Sequence, residues 1–264
     1  PTANLVAIAG TTGRGRGGHK IYLFSVVTGQ LVDQFDARAG DIKKLAYTAD
    51  GRLLIATYAG DNGMRAFDTS GNMVFEQKFA AKSYGLDIAR NGLVAVSSLD
   101  GSIHLFQYGQ SRLRALRTLK GSGRNPVGVS FSPAGDRLAV GYFQASDRDG
   151  RPEVFDIQSG RSVLRLDMPA RKEGNLMTIA YSPDGQRIVA AGTSYQSSRK
   201  FQAYEYDAAT GQFLREQLLG NNTIVDLVPI DGTRLAYASY DGSWGTIDSA
   251  RGGVRSTGGN LADL

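Results

Sequence analysis

Ser132-Pro133-Ala134-Gly135-Asp136-Arg137-Leu138-Ala139-Val140 returns fifty residues later as Ser182-Pro183-Asp184-Gly185-Gln186-Arg187-Ile188-Val189-Ala190. Each copy is a turn, set by proline, glycine and aspartate, that feeds a short strand with apolar alternation of period two. The same register lies over Thr48-Ala49-Asp50-Gly51-Arg52-Leu53-Leu54-Ile55-Ala56, over Ala89-Arg90-Asn91-Gly92-Leu93-Val94-Ala95-Val96 and over Pro229-Ile230-Asp231-Gly232-Thr233-Arg234-Leu235-Ala236. Pro1 to Ala9 lays onto Pro133 to Gly141 without a gap, which makes six copies at spacings of roughly 41 to 50 residues.

Outward from that turn, each unit continues in the same way. After that strand comes a further one, read at Ile21 to Phe24, Met64 to Asp68, Ile103 to Phe106, Val154 to Asp156, Tyr204 to Asp207 and Gly245 to Asp248. Its favoured ending is an aromatic or aliphatic anchor followed by Asp, and Thr28-Gly29, Ser70-Gly71, Ser159-Gly160 and Thr210-Gly211 then turn the chain into a last strand. Ahead of the opening turn lies an innermost strand, as in Ile42 to Tyr47, Tyr84 to Ile88, Val127 to Phe131, Leu176 to Tyr181 and Thr223 to Val228. Four strands per unit, a to d, and no helical periodicity predict an all-β chain: a β-propeller of six four-stranded blade units. A solenoid of stacked sheets is the structural alternative.

The chain opens at strand b of its first unit and closes with Asn260-Leu261-Ala262-Asp263-Leu264, which reads as a strand a. One reading is a ring in which that tail pairs beside Leu5 to Ala9, removing exposed edges. The other, favoured here, takes residues 1–264 as a single propeller domain excised from a longer protein, whose ring has six blades or is larger, seven-bladed or double.

Composition sets limits. With 41% hydrophobic residues and 34 glycines the chain suits many short, tightly turned strands. It has no cysteine, which excludes disulfides, thiol nucleophiles and Cys-based zinc sites. No apolar run approaches the roughly 20 residues of a membrane span and no signal peptide is visible, so no membrane partner is expected and the compartment stays open. Gly13-Arg14-Gly15-Arg16-Gly17-Gly18 is not followed by a helix that would place a positive dipole end at a phosphate, and no aromatics interleave with its arginines, so nucleic acid is not an expected partner. His19 and His104 are the only histidines, and neither sits in a pattern that supplies a Ser, His and Asp triad. Trp244 and the tyrosines fall at strand positions, where packing is the usual role.

The net charge is +5, and in a propeller the b-to-c and d-to-a connections emerge on one face. The longest b-to-c connections carry Arg14, Arg16, Lys20, Arg148, Arg151, Arg199 and Lys200, and the d-to-a connections add Lys82 among others. This basic face is the candidate site, for an acidic protein segment held by a non-catalytic scaffold. Asp41, Lys82, Asn125, Asn175 and Asn222 stand at the entrances of the innermost strands. They form either a polar ring that grips a peptide or ligand, or strand-entrance groups that satisfy nearby backbone amides. No cofactor and no catalytic residue is expected.

Ser98-Leu99-Asp100-Gly101-Ser102-Ile103-His104-Leu105-Phe106 and Ser239-Tyr240-Asp241-Gly242-Ser243-Trp244 resemble the hairpin into strand c of WD40 repeats. The chain departs from that family in two ways. Phe, Tyr or Ile replaces Trp at the end of strand c, and the Gly-His pair before strand a is absent, so packing must supply what the family's His, Asp and Trp network supplies elsewhere. Lys20 to Phe24, Lys82 to Leu86, Asn125 to Phe131 and Gly174 to Gly185 are also similar to bacterial WD40 modules joined to caspase-like peptidase domains. That resemblance implies a peptidase or other effector domain in the same parent chain. An alternative of another class follows from six-bladed lactonases and esterases, which hold an axial divalent cation. Here Asp41, Asn125, Asn175 and Asn222, helped by Asp87 and Asp226, would be its ligands, without a general base beside them.

Overall fold

The computed structural model describes residues 4–9, 19–37, 40–59, 63–143, 150–168, 174–194 and 201–257. Among these the chain is all β, and its strands form six antiparallel sheets, each following the expected hairpin order. The first sheet has β1 (Leu5–Ala9), β2 (Lys20–Ser25) and β3 (Leu31–Asp36). The second has β4 (Ile42–Tyr47), β5 (Leu54–Tyr58), β6 (Gly63–Phe67) and β7 (Met73–Lys78). The third has β8 (Ser83–Ile88), β9 (Leu93–Ser98), β10 (Ser102–Gly109) and β11 (Arg112–Lys120). The fourth has β12 (Pro126–Phe131), β13 (Arg137–Tyr142), β14 (Glu153–Asp156) and β15 (Ser162–Arg165). The fifth has β16 (Gly174–Tyr181), β17 (Arg187–Ser194), β18 (Phe201–Asp207) and β19 (Phe213–Gly220). The sixth has β20 (Ile224–Asp231), β21 (Arg234–Ser239), β22 (Trp244–Asp248) and β23 (Gly253–Thr257). The first sheet begins at strand b, as read; the tail 260–264 and its expected pairing lie outside the described residues.

The residues cluster into two compact units, 1–118 and 119–264. In the first, the middle strands of the second sheet are buried on both faces. Leu54, Ala56 and Phe67 pack towards Ile21 and Leu23 of the first sheet, whereas Ile55, Met64 and Ala66 pack towards Val94, Val96 and Phe106 of the third. Double-sided burial explains why β5 is largely apolar on both faces where strict alternation was expected, while β6 buries one charged residue, Arg65, among its apolar neighbours. In the second unit, Ala180, Val189 and Ala203 meet Ile224, Leu227 and Leu235 across the fifth and sixth sheets. Gly128 and Gly141 let the fourth and fifth sheets approach, since a Cβ at either would stand 3.0 Å from Ile179 N or 2.9 Å from Leu176 O. The outer strands are mostly exposed, which fits their polar composition.

Turn chemistry repeats with the sheets. The Asp that ends strand c folds back onto the following turn: Asp68 accepts from Ser70 N at 2.9 Å, Asp156 from Ser159 N at 2.7 Å and Asp207 from Thr210 N at 2.9 Å. Gly71, Gly160 and Gly211 then take φ of 77°, 71° and 74°, the left-handed conformation that the Ser-Gly and Thr-Gly pairs announced. Another repeat was not announced. In all five sheets with an innermost strand, that strand carries one surplus residue near its start, between Ile42 and Lys44, Ser83 and Leu86, Pro126 and Gly128, Asn175 and Thr178, and Ile224 and Asp226. These are β-bulges, and each turns the residues before it to the opposite side from that expected by counting in twos. No helix among the described residues is long and apolar enough to cross a membrane.

Candidate functional site

Arg14, Arg16, Arg148, Arg199 and Lys200 lie outside the described residues. Lys20 opens β2, where its register partner is Asp36 of β3, and Arg151 is half-buried just before β14. Both therefore sit where a b-to-c connection enters strand c, in the first and fourth sheets. Pro152, next to Arg151, anchors that entry by accepting from Leu166 N at 2.8 Å.

The strand-entrance residues share a backbone task. The carbonyls of Asp41, Lys82 and Asn125 accept from Ala59 N, Leu99 N and Phe143 N at 2.9, 2.9 and 3.0 Å, closing the last rung between strands a and b. In the sixth sheet Thr223 O does the same for Tyr240 N at 2.9 Å, while Asn222 Oδ1 accepts from Thr223 N at 2.8 Å. Asn125 reaches its position with φ of 55°, a conformation that asparagine tolerates better than most residues. Asn175 is buried in β16 opposite Thr193. The backbone performs this task at Asp41, Lys82 and Asn125, whereas at Asn222 the side chain takes part. Asp41 and Lys82 belong to the first unit and Asn125, Asn175 and Asn222 to the second. Of the carboxylates offered to an axial cation, Asp87 Oδ1 accepts from Ile88 N at 2.9 Å and Asp226 Oδ1 from Leu227 N at 3.0 Å. Among the described residues no three of His, Asp and Glu are grouped as metal ligands would be.

Polar chemistry that sequence reasoning missed lies between strands b and c. Tyr58, at the end of β5, and Arg65 of β6 form one pair: the guanidinium carbon lies 4.6 Å from the ring centroid, and both side chains donate to Ala37 O, at 3.1 and 3.3 Å. Arg65 also holds Glu76 at 2.8 Å. The equivalent positions of the fourth sheet carry Tyr142 and Glu153, joined hydroxyl to carboxylate. Glu153 Oε1 additionally accepts from Ser122 N at 2.7 Å and Oε2 from Ser162 Oγ at 2.6 Å. Burial and the Glu153 charge push the Tyr142 phenol far above its usual range, so it stays a donor. Glu205, on the opposite face of its sheet, is held by Arg215 at 2.8 and 2.9 Å and by Gln217 at 3.0 Å. These clusters fix strands and connections, and no substrate reaches Glu153 or Glu205, each 1% exposed. The signal was a polar residue two places before the aromatic anchor of strand c, at Arg65, His104 and Glu153.

At His104 that position opens onto a cleft. The imidazole stacks on Phe79 with ring centroids 4.0 Å apart and 1° between planes, and Nδ1 lies 3.2 Å from Thr118 Oγ1. Together with Lys78, Leu116 and Arg117, these residues line a cleft of about 360 Å³ between the outer strand of the second sheet and the outer strand of the third. Trp244, opposite Ala238 and Thr257 on β22, is 56% exposed, so its contribution to packing is smaller than its strand position suggested; Tyr58, Tyr142 and Tyr206 are buried as expected.

No protein-family model matches the chain. It is similar to a WD repeat-containing protein, SL1-17, of Schistosoma mansoni, with 31% identity over 157 residues that cover 55% of this chain and 46% of that protein. Over 179 residues, 66% of this chain and 16% of the relative, it is 25% identical to the Periodic tryptophan protein 2 homolog of Neurospora crassa. Six antiparallel sheets in hairpin order, with a WD-repeat relative across half the chain, decide the fold type. By fold this is a WD40-like β-propeller. The propeller thus spans less than half the length of each of these relatives. Its blades resemble WD40 blades but lack that family's Trp at the end of strand c. Tyrosine paired with Arg65 or Glu153 ties strand b to strand c in two of them.

Proposed function

We propose that this propeller is a non-catalytic protein-interaction scaffold whose basic b-to-c connections hold an acidic protein segment. The observation that carries the reading is positional. Lys20 and Arg151 enter strand c at the same end of their sheets, and the sequence places Arg199 and Lys200 directly before Phe201, the first residue of β18. Cations recurring at one end of rigid sheets create a local field that attracts and orients an anionic segment. The strand entrances at Asp41, Lys82 and Asn125 stand at that same end of their own sheets and offer directional hydrogen bonds, whereas Asn175 is buried and Asn222 Oδ1 already accepts from Thr223 N. Similarity to WD-repeat proteins supports the scaffold role. An effector domain of the parent chain, such as a caspase-like peptidase, is a partner of the same kind; the gene sequence flanking residues 1–264 tests that part.

The deciding experiment measures binding of a fluorescent glutamate-rich peptide by anisotropy. Replacing Arg148, Arg151, Arg199 and Lys200 together by glutamate is expected to weaken binding roughly tenfold or more and to flatten its salt dependence. Unchanged affinity overturns the proposal.

A further inference from the structure

A second surface stands apart from these connections. From residue 101 to residue 135 the chain contains no Asp or Glu but has Arg112, Arg114, Arg117, Lys120 and Arg124, which equal the whole net charge of +5. The remaining 25 lysines and arginines are matched by 25 acidic residues. Most of that segment's charge lies on β11, which at nine residues is the longest described strand, lacks proline and forms the outer edge of the third sheet. Among the described residues no strand pairs with its far side. Arg112 and Arg114 are exposed and engage in no ion pair among the described residues. Leu116, 43% exposed, and Thr118 lead from the same strand into the cleft floored by Phe79 and His104.

We propose that the β11 edge is a docking site for an extended acidic peptide, which adds to the third sheet as a fifth strand and seats one aliphatic or aromatic side chain in the Phe79, His104 and Leu116 cleft. An open edge offers a row of amides and carbonyls that an extended chain satisfies without ordering any new element of the host. Cations along the edge repel a second copy of β11 and select a strand rich in carboxylates. The cleft, large enough for one side chain, sets the register of the incoming strand. This site lies on the sheet edge and operates whether or not the basic connections bind a partner.

The probe is an eight-residue peptide alternating glutamate with leucine, offered to the whole chain, with hydrogen–deuterium exchange and anisotropy as readouts. Slower exchange at amides 112–118 is expected, together with an affinity that drops roughly tenfold or more in the Arg112→Glu, Arg114→Glu double variant. In the variant with four reversed connection charges the slowed exchange at amides 112–118 persists, which separates this site from the connections whatever the total affinity. A peptide N-methylated at alternate residues has the same charge but cannot form the ladder, and it is expected to lose both protection and affinity without any change to the protein. Equal binding of the methylated peptide, protection elsewhere than β11, or equally tight binding of a single-stranded RNA octamer that displaces the peptide would overturn the proposal.

Discussion

Glu153 is the clearest case of a single side chain holding several segments at once. It ties the b strand through Tyr142, the connection after β11 through Ser122 and the outer strand through Ser162. Removing one donor from a buried carboxylate costs about 1–3 kcal/mol. Tyr142→Phe is therefore expected to lower the unfolding free energy by that amount, seen in equilibrium urea denaturation as a lower midpoint with the slope unchanged. Gly121 provides the room, because a Cβ there would stand 1.8 Å from Tyr142 Oη. Gly121→Ala must displace the ring and should cost at least as much as Tyr142→Phe. The turn aspartates contribute to the acid response. Hydrogen bonds from Asn72 hold Asp68 below its usual value, those from Ser159 hold Asp156, and those from Thr210 hold Asp207. Their contribution is complete above the ordinary carboxylate value of 3.8 and is lost as pH falls through the depressed native values. Melting temperature should be level near neutrality and decline below about pH 4, and Asp207→Asn should lower the neutral value while shrinking the acid decline.

For the elements, the sequence was most legible where one physical demand acted alone. The double-sided burial of β5 and β13 makes them largely apolar, and the Asp and Gly turns force their own residues, so strand order could be read directly. The bulges obey no residue signature: Lys43, Val127 and Val225 are ordinary strand residues. The side towards which an entrance residue points was therefore beyond reach, and so were pairs such as Tyr58 with Arg65, whose chemistry appears only once strands b and c are in register. Sheet-to-sheet contact in the second unit yields its own test. Gly128→Val pushes a branched side chain against Ile179 and Thr178, and overpacking of this kind costs about 1–3 kcal/mol. Thermal denaturation of that variant should show the loss, while the same substitution at Gly109, where nothing lies within 4 Å of a Cβ, should cost far less.

Across the whole molecule, charge was countable but not locatable. The sequence reading gathered cations in connections, yet the acid-free stretch of 101–135 lies mainly on a strand, and only sheet order reveals that this strand is an edge. With no cysteine to oxidise, melting should be identical with and without reductant. Binding of acidic probes should fall several-fold between low and physiological salt, where the screening length shortens to about 8 Å, and a titration of affinity against salt would show it.

A strand with one surplus residue has two phases for its side chains, one on each side of the surplus. Sliding that surplus by a single position would swap which residue looks inward at the chain's point of entry, yet leave the apolar packing downstream untouched. Five sheets carry such a hinge of phase. What each sheet displays at that end can thus evolve independently of what keeps it folded.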